Sequence, residues 1–139
     1  MIAYADTSVV LRVALGSRDR LAGWPQIDEL VSTELLRTEC RRSLHRLRAF
    51  NRIGDDILVE ATEAVQRLLS ETRLVAVNSA VLSRAGDPFP TPLGTLDAIH
   101  LATALLWERD SGQPVDAFLT HDLELGRAAR TMGLRVLGC

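Results

Sequence analysis

Asp6, Glu39, Asp97 and Asp122 are the side chains of this chain best placed to do chemistry. Each stands at the end of an apolar, strand-like run or on the apolar face of a helical one. Burying an unpaired carboxylate is expensive, so four such placements ask for a shared reason, and a bound cation is the simplest. Two carboxylates ~5 Å apart repel by about 3 kcal/mol at an effective dielectric of 20. Four gathered in one crevice need a cation or take up protons. Magnesium favours oxygen ligands of this kind while keeping several of its waters, and a nuclease that activates water with such an ion has use for this set.

Taken singly, each acid has a plainer account. Asp6 follows the apolar run Ile2–Ala5 and precedes Thr7 and Ser8, so it can cap the next helix; as a ligand, it would have Ser8 to orient it or a bound water. Glu39 shares a helix face with Leu36, Ser43 and Leu47 at spacings of three and four, and a salt bridge to Arg42 or Arg46 is its alternative role. Glu34 lies ~140° around the same helix and faces elsewhere. Asp97 comes two residues after Thr95, in a first turn where the helix dipole favours a carboxylate by ~0.3–1 kcal/mol. Asp122 closes the run Ala117–Leu119 through Thr120 and His121 and opens a helix, where it too can cap. Asp116 competes with it but sits at the start of that strand.

Arg37, Arg41, His45, Arg48 and Arg52 follow one another at spacings of four, four, three and four. They form one face of the helix that carries Glu39, either a solvated surface or a set of phosphate contacts. Arg37, Arg41 and Arg48 are the candidates for nucleic-acid binding, with Arg127 and Arg130 as additions. His100 and His121 are expected to pack or hydrogen-bond rather than catalyse.

The elements that must position these groups follow from periodicity and punctuation. Strands are expected over Ile2–Ala5, Glu29–Ser32, Leu74–Val77, Ala117–Leu119 and Leu134–Leu137. Helices are expected over Ser8–Leu15, Thr33–Arg52, Asp55–Thr72, Ser79–Arg84, Thr95–Trp107 and Leu123–Met132, with Thr95 as a cap and Gly133 as a left-handed stop. Ser17–Gln26 reads as loop, and the three prolines of the stretch Asp87–Gly94 exclude regular structure there. This alternation implies an α/β fold with a mostly parallel central sheet and helices on both sides. Ligands of such sheets bind beyond the carboxyl ends of the strands. Asp6 and Asp122 lie at such ends, and Asp116 at the wrong one.

Composition narrows the class. The 139 residues, 47% hydrophobic and 24% charged, fit one domain spanning 1–139 with one core. No apolar run reaches the ~20 residues of a membrane span, and no basic leader precedes the first strand. Cys40 and Cys139 are far apart and outside any CxxC pair, which points away from zinc and disulfides and towards a reducing cytoplasm. All sixteen Lys-plus-Arg residues are Arg, so no lysine is present for P-loop or Schiff-base chemistry. A net charge of −2 means that any nucleic-acid binding rests on a local patch.

The order Tyr-Ala-Asp6-Thr-Ser, Ser32 then Arg-Thr-Glu39, Leu-Asp97-Ala-Ile-His-Leu-Ala-Thr-Ala and Leu-Thr-His-Asp122 resembles the PIN-domain family, specifically its VapC-type toxin ribonucleases, over nearly the whole chain. The resemblance implies a three-layer α/β/α sandwich. It puts the acidic quartet on Asp6, Glu39, Asp97 and Asp122, with Asp116 as an alternative fourth acid and Thr120 as a small polar neighbour. It further implies that the quartet binds one or two Mg²⁺ or Mn²⁺ ions, with Asp6 and Asp97 as main ligands, to direct water onto an RNA phosphodiester. A VapB-type antitoxin, a homodimer, a cytoplasmic location and no membrane association complete the expectation. The exposed-prone aromatics Trp24, Phe50 and Phe89 are candidates for interfaces. The rival from another class is an inactive PIN-like module that only holds RNA or a partner. A phosphotransfer domain fits poorly: one type needs a second Asp where Ser8 stands, another needs a lysine.

Overall fold

The computed structural model describes residues 1–22 and 24–139. Five strands form one sheet: β1 (Ile2–Ala5), β2 (Glu29–Thr33), β3 (Thr72–Val75), β4 (Ala117–Leu119) and β5 (Val136–Leu137). The order is β3-β2-β1-β4-β5, and every pairing is parallel. Six α-helices complete the fold: α1 (Thr7–Ala14), α2 (Leu36–Ala49), α3 (Asp55–Ser70), α4 (Ser79–Gly86), α5 (Thr95–Ser111) and α6 (Leu123–Thr131). Strand order reverses direction between β1 and β4, and a crevice opens beyond the carboxyl ends of strands at such a point.

Strand alternation assigns the layers. Ala3 and Ala5 of β1 face one core, with Val9 and Val10 of α1, Leu36, Cys40 and Leu44 of α2 and Ala61, Val65 and Leu69 of α3. Tyr4, between them in sequence, faces the other, with Leu101, Ala104 and Trp107 of α5 and Leu125, Ala128 and Ala129 of α6. Ala102 and Ile99 of α5 pack instead against Val81 of α4. Helix α5 is therefore covered on several sides, which explains why its apolar residues are not confined to one stripe. This is the three-layer α/β/α sandwich expected from the alternation.

Several boundaries differ from expectation, each for a local reason. Thr33 belongs to β2, where it pairs with Val75, so α2 begins only at Leu36. Strand β3 starts at Thr72, as soon as α3 ends, and it stops before Val77, whose N–H turns to Glu34 at 2.8 Å. Helix α5 continues past Trp107 to Ser111, where Gly112 at φ 70° stops it, and Gly94 rather than Thr95 is its N-cap. The loop expected over Ser17–Gln26 contains a short 3₁₀ turn, Trp24–Gln26; its Gly23 lies outside the described residues. Trp24 is half-buried against the α1–α3 core, and Phe89 lies under the Arg84 guanidinium, 4.2 Å from its ring centre. Of the three aromatics, only Phe50 is widely exposed. Cys40 is buried and Cys139 exposed, both as free thiols. Among the described residues no helix is long and apolar enough to cross a membrane.

Candidate active site

Asp6 leaves the end of β1 and caps α1, Oδ1 accepting from the N–H of Val9 at 3.3 Å. The same oxygen accepts from the Ser8 hydroxyl at 2.7 Å, and Oδ2 accepts from the Thr120 hydroxyl at 2.7 Å. A carboxylate offers about four lone-pair sites, so the protein leaves Asp6 one, on Oδ2. Burial pushes its pKa up, and the hydrogen bonds from Ser8 and Thr120 pull against that rise.

Both hydroxyls also work in the other direction. Ser8 Oγ accepts from the N–H of His121 at 2.9 Å, and Thr120 Oγ1 accepts from the N–H of Asp122 at 2.9 Å. The segment after β4 is thereby fixed to the end of β1. Asp122 caps α6 with Oδ1, which accepts from Leu125 N–H at 2.9 Å. Capping and a place at the crevice are compatible, since one oxygen of each Asp serves the helix and the other remains.

Glu39 reaches across the end of the sheet to α5, where His100 Nε2 lies 2.9 Å from its Oε1. His100 Nδ1 lies 3.1 Å from the Tyr4 hydroxyl. Complete burial drives the Tyr4 phenol far above its usual range and keeps it protonated. Tyr4 then donates to Nδ1, which assigns the remaining ring N–H to Glu39. Neither Arg42 nor Arg46 bonds Glu39; His100 takes that place, in keeping with the hydrogen-bonding role expected of it.

The Asp97 carboxylate makes no hydrogen bond among the described residues, although the residue is half-buried. Burial raises its pKa, the Asp122 charge raises it further, and Asp6 and Glu39 add to the rise. All four acids line one open crevice of about 530 Å³, with Thr7, Ser8, Ser43 and His100. Asp116 is at the opposite end of the sheet, where its Oδ2 accepts from the N–H of Ile2 at 2.8 Å.

Residues 3–130 match the model of the PIN domain family. The chain belongs to the PIN-domain family. It is also 32% identical over 144 residues to Ribonuclease VapC46 of Mycobacterium tuberculosis (strain ATCC 25618 / H37Rv), a match covering 96% of this chain and 95% of that protein. The likeness makes this a VapC-type PIN domain.

The arginines that line the PIN crevice are Arg42 and Arg46, not the expected Arg37, Arg41 and Arg48. At ~100° per residue, Arg42 and Arg46 fall within ~60° of Glu39 on the α2 wheel, while Arg37, Arg41 and Arg48 lie ~160–180° away. Arg37 and Arg41 accordingly line a groove between α2 and α3, and Arg48 is paired with Asp55. Arg127 is paired with Glu124, and Arg130 donates to the carbonyl of Cys139. The i, i+4 stripe is present on α2, and its azimuth relative to Glu39 is the signal that tells which arginines line the crevice.

A divalent cation suits the PIN crevice. Asp97 is unpartnered, Asp6 has one lone pair to give, and the buried Thr7 hydroxyl has no hydrogen-bond partner. Among the described residues no three acidic, histidine or cysteine side chains converge tightly enough to ligate an ion unaided. The set therefore fits a divalent ion that completes its shell with waters of its own.

Proposed function

We propose that this PIN domain, spanning residues 1–139, is a metal-dependent endoribonuclease, the toxin of a VapBC-type toxin–antitoxin pair. The carrying observation is Asp97, half-buried in one crevice with Asp6, Glu39 and Asp122 and with no side-chain hydrogen bond among the described residues; burial first and then the Asp122 charge raise its pKa. A carboxylate so placed is costly to the fold unless a cation joins it. The likeness to a named ribonuclease supports RNA as the substrate.

Asp6 and Asp97 are the main ligands in this reading, and Glu39 and Asp122 hold a second ion or the waters between. Bound Mg²⁺, or Mn²⁺ in its place, would supply a water of lowered pKa and positive charge for the leaving oxygen. The chain's own residues do the positioning. Ser8 and Thr120 fix the Asp6 carboxylate, and His100 fixes Glu39. Arg42 and Arg46 on the crevice wall meet the substrate's phosphates. Water, and not the ribose 2′-hydroxyl, attacks phosphorus, so no 2′,3′-cyclic phosphate forms. A VapB-type antitoxin that blocks the crevice, a homodimer and a cytoplasmic setting belong to the same reading.

The test is incubation of antitoxin-free protein with labelled single-stranded RNA and a tRNA pool in Mg²⁺, in Mn²⁺ and in EDTA. Cleavage in either metal and none in EDTA is expected. Cleavage undiminished in EDTA, or metal-dependent products ending in cyclic phosphate, would contradict the proposal.

A further inference from the structure

Phe50 is the most exposed large apolar side chain among the described residues, at 71%. Single exposed apolar groups are common, so its surroundings matter more than its exposure. It is the C-cap of α2, its N–H bonded to the carbonyl of Arg46. With Arg46, Leu47 and Arg52 it lines an open hollow of about 520 Å³. Arg46 also lines the acidic crevice, so the two depressions share a wall. Arg42, Arg46 and Arg52 form no salt bridge among the described residues. Arg42, Arg46 and Phe50 succeed one another at i, i+4 and i+8, a row that leaves Glu39 and reaches ~16 Å along the helix axis.

We infer that this row is a platform for single-stranded RNA leaving the acidic crevice, with Arg42 and Arg46 on successive phosphates and Phe50 stacked on a base a few nucleotides from the cleaved bond. The inference rests on the nuclease reading for what occupies the crevice at the row's other end. Free guanidinium groups beside an exposed aromatic ring match a chain that alternates anionic phosphates with flat bases. Duplex RNA keeps its base faces stacked and cannot offer one to Phe50. An acidic peptide would meet the arginines but be repelled by four carboxylates at the near end, where a cation can bridge the acids to a phosphate.

The test is anisotropy of a labelled single-stranded RNA titrated with the intact chain in Ca²⁺, a cation that can bridge the acids to a phosphate but whose loose coordination suits binding better than water activation, which separates binding from cleavage. Phe50→Ala is expected to weaken binding about tenfold, the scale of one lost base stack, and Phe50→Trp to restore it. Arg46→Gln is expected to lower the slope of log affinity against log salt by ~0.7, one phosphate contact on a single strand. Equal binding by wild type and Phe50→Ala, no binding by wild type, or equal affinity for duplex would overturn the platform. So would a partner protein whose binding fails in Phe50→Ala while RNA binding does not. Wild-type cleavage in Mg²⁺, measured in parallel, keeps the two readings apart. Cleavage with no effect of Phe50 on binding sinks the platform alone. A Phe50-dependent RNA complex without cleavage sinks the nuclease reading and keeps the platform.

Discussion

The Thr120 hydroxyl donates to Oδ2 of Asp6 at 2.7 Å across the seam between β4 and β1. Because it also accepts from the N–H of Asp122, one buried oxygen sets the positions of two acids from different elements. Thr120→Val keeps the shape and removes both bonds. Cleavage should fall about 10- to 100-fold, the usual cost of losing a group that orients a metal ligand. Stability should fall by about 1–3 kcal/mol in urea unfolding. Thr120→Ser should recover most of the activity; a Val variant as active as wild type would show that the hydroxyl does not matter.

Tyr4, His100 and Glu39 form a second chain of this kind. His100→Leu should reduce cleavage strongly, and Tyr4→Phe more mildly, since the phenol acts only through the imidazole. Because the two act in series, the double variant should be no worse than His100→Leu alone, a non-additivity that a double-mutant cycle reads directly. Strict additivity of the two losses would separate Tyr4 from the site.

Asp122 and Asp116 occupy opposite ends of the sheet region, one lining the crevice and one bonded to the N–H of Ile2. Asp122→Asn should therefore lower cleavage, while Asp116→Asn should leave the rate near wild type. Cleavage rates of the two purified variants in Mg²⁺ decide this, and the reverse order would move the fourth acid to Asp116.

Asp6 and Asp97 have pKa values raised above the ordinary 3.8, by burial first in both cases. The native state then holds more protons than the unfolded chain over that range, so the stability these groups contribute is full below pH 3.8 and is lost as pH rises through their native values. In EDTA at neutral pH, Asp97→Asn should melt above wild type, and the gap should close as pH falls towards 3.8. Mg²⁺ should raise the melting temperature of wild type more than that of the variant. A gap that widened on acidification would reverse the sign and remove the electrostatic account.

Much of this arrangement was legible in the chain. Asp6 and Asp122 were placed by strand ends, Asp97 by a helix start and Glu39 by its helix face, because apolar periodicity reports which side of an element is buried. The parallel sheet indicated which strand ends matter and counted against Asp116, which stayed open as a fourth acid in the sequence; the structure puts it away from the crevice, on the N–H of Ile2. The arginines were less legible. Spacing finds a stripe, but only the angle to Glu39 tells which stripe meets the crevice. The Tyr4–His100–Glu39 chain joins residues far apart in sequence, and neither spacing nor composition encodes which buried tyrosine meets which imidazole. The later start of α2 came from Thr33, whose place in β2 depends on pairing with a strand that lies well beyond it in sequence.

The measurement that bears most directly on the site is RNA cleavage by wild type and by folded Asp97→Asn, side by side in Mg²⁺, with magnesium binding to each followed by calorimetry. Wild type should cleave and bind the ion, and the variant should keep its fold while losing cleavage and most of the binding. A folded Asp97→Asn protein that cleaves at the wild-type rate would contradict the claim that this carboxylate holds the metal.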